Sequence, residues 1–318
     1  MSMRTRILGA SDLDVSVVGL GTWAIGADFW GAVDDTESIT AIRTAIDHGI
    51  NLIDTAPAYG DGHAEKIVGR AIAGRRDEVV VATKVGILRH NGELTRNLRP
   101  ESVRREVEDS LQRLDIDTID LYQIHWPDRK TPIEDTLAEL KRIHEAGKFR
   151  YLGVSNFKPA LMDAVRREFE LVSLQPPYSL LNRSIESHIL PYCRENGIGT
   201  LGYGTLAAAV LTGKFREIPQ FGPGDDRAKF YDIFREPLWT PIQRLLDTLR
   251  RIADERDRPM AQVAINWALR DGGVTCALVG AKNSDQAVSN AGAGEWELSA
   301  DEVKRIETAY KQHVSDVL

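Results

Sequence analysis

The stretch IDLYQIHWPDRKTPIEDTLAELKRIHEAGKFRYLGVS, residues 119–155, holds a strand, a helix and a second strand in succession. Ile119–His125 is short and nearly all apolar, as a strand buried on both faces is. Ile133–Ala146 is an amphipathic helix that Gly147 ends. Tyr151–Ser155 is again a short apolar run. Strand, helix and strand in that order form a βαβ unit, which implies two parallel neighbours in one sheet.

Outward from this unit the same rhythm repeats at about forty-residue spacing. Before it come Val17–Gly21, Asn51–Asp54 and Val79–Lys84. After it come Leu171–Gln175, Gly199–Tyr203 and Thr275–Gly280. The spacing predicts helices over Thr36–His48, over Glu101–Leu114 behind Pro100, over Ser184–Asn196 and over Pro259–Arg270. Ser299 with Glu302 three residues on reads as a capping box. Arg4–Leu8 and Leu13–Val17, joined by Gly9-Ala10-Ser11-Asp12, read as an N-terminal hairpin. Eight strands alternating with helices predict an α/β protein, a (β/α)8 TIM barrel with a C-terminal helix, formed as one domain over residues 1–318. A doubly wound open sheet is the alternative. Against it, Val18-Gly19-Leu20-Gly21-Thr22-Trp23 lacks the third glycine of a dinucleotide fingerprint.

Composition narrows the function classes. The 318 residues carry 40 Lys+Arg against 47 Asp+Glu, a formal net charge of −7. That balance disfavours nucleic acid as a partner. The longest aliphatic run, Leu206–Leu211, is far too short to span a membrane. The start Met1-Ser-Met-Arg-Thr-Arg6 leads into no apolar signal segment. A cytoplasmic protein is expected. Cys193 and Cys276 match neither a disulfide framework nor a metal-ligand spacing, and no metal is expected. The segment Gly213–Trp239 is long, charged and rich in Pro and Gly. It is expected to form no element of its own and to be a mobile lid.

In a barrel of this kind chemistry sits at the C-terminal ends of the strands. Those ends are polar here: Asp54 with Tyr59 just beyond, Lys84, His125, Ser155-Asn156, Gln175 and Tyr203. Singly each has a plain structural role, such as a helix cap, a solvated end or a satisfied buried histidine. Together, Asp, Tyr, Lys and His from adjacent strands converge. An ammonium beside a phenol of ordinary pKa near ~10 is expected to lower it. Asp54 would hold Lys84 charged, Tyr59 would protonate a carbonyl oxygen, and His125 would donate to the same oxygen. No nucleophile stands with an activating base, so acyl transfer is disfavoured. The set suits hydride addition to a carbonyl.

These residues resemble the aldo-keto reductase family over essentially the whole chain. Asn51-Leu-Ile-Asp-Thr-Ala-Pro-Ala-Tyr-Gly60, Ala82-Thr-Lys84, Asp120-Leu-Tyr-Gln-Ile-His-Trp-Pro-Asp128 and Gly153-Val-Ser-Asn-Phe157 carry the likeness. The resemblance implies Asp54, Tyr59, Lys84 and His125 as the catalytic tetrad. It also implies a nicotinamide dinucleotide, NADPH or else NADH, lying extended on the barrel. Ser155, Asn156 and Gln175 would fix its carboxamide, Tyr203 would stack on its ring, and Thr22 and Trp23 would lie beside it. Gly204, Thr205, Leu206, Lys214 and Arg227 would follow the pyrophosphate. Gly280, Lys282 and Ser284 would take the adenosine phosphate, and Gln286 and Asn290 the adenine. Many relatives carry Ser-Pro in place of Gly204-Thr205, often Arg in place of Lys282, and often Glu in place of Ser289. Trp23, Phe29, Trp30 and Trp126 are expected to shape the pocket for a small carbonyl substrate. Two other readings compete. One is a nicotinamide-binding regulatory or redox-sensing module with weak turnover. The other is a barrel isomerase or lyase of sugar phosphates. Oligomeric state is not legible.

Overall fold

The eight barrel runs close on themselves in the computed structural model, which describes residues 2–27, 29–90 and 93–318. A hairpin of β1 (Thr5–Ile7) and β2 (Asp14–Ser16) precedes β3 (Val18–Gly21), β4 (Leu52–Asp54) and β5 (Val80–Val85). A second hairpin follows, β6 (Ile87–His90) and β7 (Glu93–Arg96). Then come β8 (Ile119–Ile124), β9 (Phe149–Ser155), β10 (Leu171–Gln175), β11 (Gly199–Gly202) and β12 (Cys276–Gly280). The order around the barrel is β3-β4-β5-β8-β9-β10-β11-β12, all parallel, with β12 returning to β3.

Register sets the site. Gly21 lies beside Asp54, Asp54 beside Ala82, Lys84 beside Gln123, and Ser155 beside Gln175. The polar strand ends therefore share one level at one mouth of the barrel. Below them the interior is apolar, with Leu52, Ala82, Leu121, Val172, Leu201 and Leu278 buried together. The N-terminal hairpin plugs the opposite end. Leu8 and Val15 are fully buried there, each contributing roughly 1.5–3 kcal/mol by leaving water. Gly9 makes the plug possible: at φ +58° a Cβ would stand 2.2 Å from the Val172 carbonyl oxygen.

The outer helices follow the expected signals with small shifts. Pro100 opens Pro100–Leu114, and Ser299 and Glu302 form a complete capping box ahead of Ala300–His313. The expected helix Ser184–Asn196 shortens to Ile189–Glu195. Pro191 explains this, since proline is tolerated only in a helix's first turn. Helices His63–Ile72, Pro159–Glu168 and Trp239–Arg256 complete the ring. None of the described helices is long and apolar enough to cross a membrane.

The segment 213–239 differs from the expectation. It contains a short helix, Arg227–Phe230, and a 3-10 turn, Asp232–Phe234. Phe221 packs edge-on against Phe215 and Phe234, and Phe234, itself buried, lies against Trp239. The apolar content was there, but these aromatics follow neither a helical nor a strand period.

Candidate active site

Lys84 is fully buried near the end of β5, and its ammonium has three partners. Nζ donates to Asp54 Oδ2 at 2.7 Å, to the Thr55 carbonyl at 2.9 Å and to Tyr59 Oη at 3.1 Å. All three donors are used, which is what a buried ammonium requires. Burial opposes its charge, but Asp54 and Tyr59 outweigh burial and raise its pKa. Tyr59 accepts from Lys84, so its own hydroxyl hydrogen is left to point elsewhere. The phenol differs from the expected lowering. Burial raises its pKa above the ordinary 10; Lys84 opposes this and Asp54 adds to it. The group is held as a protonated donor at neutral pH.

His125 follows β8 directly, its ring centroid 6.0 Å from that of Tyr59 and nearly perpendicular to it. Burial, then the Lys84 charge, push its pKa well below the ordinary range, so the imidazole is neutral. A neutral imidazole still donates one hydrogen bond.

Asp54 keeps a second set of partners on Oδ1. Gln175 Nε2 donates to it at 2.8 Å and Gln123 Nε2 at 3.2 Å. Gln175 Nε2 also donates to Gln123 Oε1 at 3.2 Å. Gln123 was not singled out from the sequence. Its signal was a polar residue in the otherwise inward-apolar body of a barrel strand, two places before His125. Beside this group Ser155 Oγ donates to the Gln175 carbonyl, and Asn156 Nδ2 donates to Ser155 Oγ. Asn156 adopts a left-handed φ of +61°, a conformation asparagine tolerates. Tyr203 Oη donates to Asn156 Oδ1 at 3.0 Å.

Comparison with known proteins gives a consistent answer. Residues 17–311 match the family model described as Aldo/keto reductase family. The chain is 42% identical over 317 residues to "Aldo-keto reductase YhdN" of Bacillus subtilis (strain 168), covering 99% of this chain and 96% of that one. It is 37% identical to the "NADH-specific methylglyoxal reductase" of Escherichia coli (strain K12), covering 93% and 95%. The structure resembles the glycerol dehydrogenase AKR11B4 of Gluconobacter oxydans with TM-score 0.92 and 40% identity, covering 100% and 98%. The chain belongs to the aldo/keto reductase family. It is accordingly an NAD(P)H-dependent oxidoreductase of small carbonyl compounds.

In this reductase a cavity of about 490 Å³ runs from Asp54, Tyr59 and His125 at one end to Lys214 and Lys282 at the other. The far end carries an excess of positive charge. Arg227 is committed to Asp225 at 2.6 Å, whereas Lys282 donates only to the Trp30 carbonyl and to no carboxylate among the described residues. Lys214 lies over the Phe215 ring. Burial lowers the pKa of both Lys214 and Lys282; Arg227 adds to this, and Asp225 opposes it, more strongly at Lys282 than Arg227 acts there. Three cations against one carboxylate suit the phosphates of a dinucleotide. Above them the loop after β3 meets the long segment: Gly31 N donates to Gly224 O, Asp226 N to Phe29 O, and Trp30 bridges to Asp225.

Among the expected cofactor contacts, Thr22, Thr205 and Asn290 spend their side-chain hydrogen bonds on neighbouring carbonyls. Thr22 is fully buried and donates to the Asp54 carbonyl at 3.0 Å, and it does not line the cavity. Thr205 lines the cavity, but its hydroxyl donates to Gly202 O and Leu278 O. Gly204, Leu206 and Gly280 also stand on the wall. Ser284 stands at the N-terminus of the helix Ser284–Ala291, which Asn283 caps, and Ser284 Oγ accepts from Thr44. Gln286 is exposed and lines the cavity, its Oε1 accepting from Lys282 N, and Asn290 Nδ2 donates to Gly280 O.

At the catalytic end Trp23, Phe29, Trp30 and Trp126 all line the cavity. Trp23 packs edge-on against Phe29 and Trp30, and Arg96 covers Trp126 at 4.6 Å. Ile87 and Leu94 join them from the β6–β7 hairpin, which the sequence reading missed.

Proposed function

We propose that Tyr59 is the proton donor in reduction of an aldehyde or ketone to an alcohol, with Lys84 and Asp54 setting its state and neutral His125 donating to the same carbonyl oxygen. The observation that carries this reading is the buried Asp54–Lys84–Tyr59 chain, with 2.7 and 3.1 Å contacts. When bound, a reduced nicotinamide supplies the hydride to the carbonyl carbon. The residues that would hold it are Ser155, Asn156, Gln175 and Tyr203 at the ring end and Lys214, Arg227 and Lys282 at the phosphate end. Lys282 and the start of the helix at Ser284 favour NADPH over NADH, because a 2′-phosphate finds a cation and helix N–H groups there.

The fixed groups act as follows. The Lys84 ammonium holds Tyr59 Oη, so the phenol hydrogen is free to meet the substrate oxygen. As negative charge grows on that oxygen, the Tyr59 proton moves to it, and Lys84 offsets the charge left on the phenolate. Trp23, Phe29, Trp126, Ile87 and Leu94 exclude water and favour carbonyl compounds with an apolar substituent. One domain, 1–318, carries the whole activity in the cytoplasm, without nucleic acid or membrane.

Purified protein with NADPH or NADH and a panel of aldehydes, ketones and sugars tests the reading through the absorbance of the reduced nicotinamide. Turnover with aldehydes at the expense of NADPH supports it. Tight NADPH binding with no turnover on any member of the panel would favour a redox-sensing module.

A further inference from the structure

We infer that Gln123 is a positioning residue that holds the proton-delivering and the nicotinamide-binding halves of the site in one geometry. The inference rests on the reductase reading above. Gln123 is fully buried in β8, in the interior layer of a barrel where branched apolar residues normally pack. A buried amide there must satisfy every polar atom, and both groups of Gln123 are spent on the site. Its Nε2 donates to Asp54 Oδ1 at 3.2 Å, and its Oε1 accepts from Gln175 Nε2 at 3.2 Å.

The consequence for Gln175 is geometric. An amide nitrogen has two hydrogens. One goes to Asp54 Oδ1 at 2.8 Å and the other to Gln123 Oε1. With both engaged, the planar amide cannot turn over, and its carbonyl oxygen is kept as an acceptor on a residue that lines the cavity. A carboxamide offers N–H donors, so an acceptor at this position is what such a ligand requires. Without Gln123 one of those hydrogens loses its partner, and the amide plane is held by the Asp54 contact alone.

The consequence for Asp54 is electrostatic. Its Oδ2 serves Lys84, while Gln123 and Gln175 share Oδ1. Each donor draws off part of the charge that Asp54 exerts on its neighbours. The ionisable groups around it are Lys84 and Tyr59, with His125 beyond them and Cys276 on the barrel floor. Asp54 raises the proton affinity of Tyr59. Losing a donor to Asp54 strengthens that effect.

Two variants of the full chain separate the two roles. Gln123→Met keeps an unbranched side chain of similar length and removes both polar functions. Gln123→Glu keeps an acceptor for Gln175 and replaces the amide donor. NADPH affinity is read by quenching of tryptophan fluorescence, and turnover with 4-nitrobenzaldehyde is read across pH. Gln123→Met is expected to weaken NADPH about tenfold, as the loss of a buried hydrogen-bond partner does, and to move the basic limb of turnover to higher pH. Gln123→Glu is expected to keep NADPH affinity within about threefold; it serves only as the affinity control, because its carboxyl beside Asp54 Oδ1 brings its own proton and charge. An unmoved limb in Gln123→Met, or an equal loss of affinity in both variants, would overturn the inference. If Gln123→Met does not fold, Gln123→Leu, which also removes both polar functions, takes its place: an upward limb with weakened NADPH supports the inference, and an unmoved limb overturns it. Absence of turnover by the unaltered protein would reject the reductase reading instead, so the two failures are distinct.

Discussion

Lys84 Nζ donates to Tyr59 Oη across 3.1 Å while Asp54 Oδ2 accepts from the same ammonium at 2.7 Å. The phenol therefore meets a fixed positive charge on one side and the cavity on the other. Burial keeps its proton in place until charge develops on a substrate oxygen. Tyr59→Phe keeps the ring, its contact with Trp23 and the packing, and removes only the proton. Turnover is expected to fall about 10²- to 10⁴-fold, the range of general acid catalysis. NADPH affinity, measured by fluorescence titration, is expected to stay unchanged. Near-full turnover by this variant would place the proton elsewhere.

At the other end of the cavity Lys282 Nζ donates to the Trp30 carbonyl and to no carboxylate among the described residues. An ammonium that is partly withdrawn from water and not bonded to a carboxylate gains more from a phosphate than an exposed one does. Lys282→Ala is expected to raise the Michaelis constant for NADPH roughly tenfold or more, since a hydrogen bond to a charged group contributes about 1.5–3 kcal/mol. The constant for NADH should change little. Steady-state kinetics with both cofactors checks this, and equal effects on both would remove Lys282 from the phosphate site.

Most of the barrel was legible because its strands are short apolar runs whose last residues are polar. Asp54, Lys84, His125, Ser155 and Gln175 stood out against Leu52, Val81, Leu121, Val154 and Leu174. Gln123 was hidden by the same contrast: it lies inside a run rather than at its end. The β6–β7 hairpin carried a strong sign, Asn91-Gly92 between Ile87-Leu-Arg-His90 and Glu93-Leu-Thr-Arg96, the commonest sequence of a two-residue hairpin turn. It went unread because its arms lack clean alternation, and β7 is exposed throughout. The side-chain commitments of Thr22 and Asn290 lay beyond sequence reasoning. Nothing in a strand-end pattern says whether a hydroxyl or amide turns to a neighbouring carbonyl or to a ligand.

Glu106 ties the hairpin to the barrel. Its carboxyl accepts from Gly86 N at 2.9 Å and from Ser102 Oγ at 3.0 Å, and Gly86 stands directly before β6. Burial pushes its pKa from the ordinary 4.5 up to about 7, against those hydrogen bonds and nearby arginines. Between those two values the folded protein binds more protons than the unfolded chain. Stability from this group is complete below 4.5 and is lost as pH rises through about 7, by at most about 3 kcal/mol. Glu106→Gln retains an acceptor for Gly86 and cannot ionise. Urea unfolding at pH 5 and pH 8 is expected to show the variant losing less stability on alkalisation than the unaltered protein. Parallel losses in both would show that Glu106 does not titrate in this window.

The long segment is anchored at its base by aromatic packing and closed at its crest onto the loop after β3. Phe221 and Phe234 lock together, Phe234 lies on Trp239, and Arg227 sits over the Phe221 ring while paired with Asp225. Between these anchors Lys229 projects with 76% of its side chain exposed, beside Phe230, which is also exposed and packs on Phe29. Opening the crest breaks the Trp30–Asp225 bridge and the Gly31–Gly224 hydrogen bond, yet leaves the aromatic base intact. Proteolysis is therefore expected to concentrate after Lys229 rather than to spread along residues 213–239. A ligand that binds only the closed crest slows such cleavage by one plus its concentration over its dissociation constant. NADPH at ten times that constant should therefore protect Lys229 about tenfold. Trypsin time courses with and without NADPH, resolved by mass spectrometry, give the comparison. An unchanged rate at saturating NADPH would mean that the crest does not cover the cofactor. Fast cleavage at Arg216 as well would mean that the aromatic base does not hold the segment.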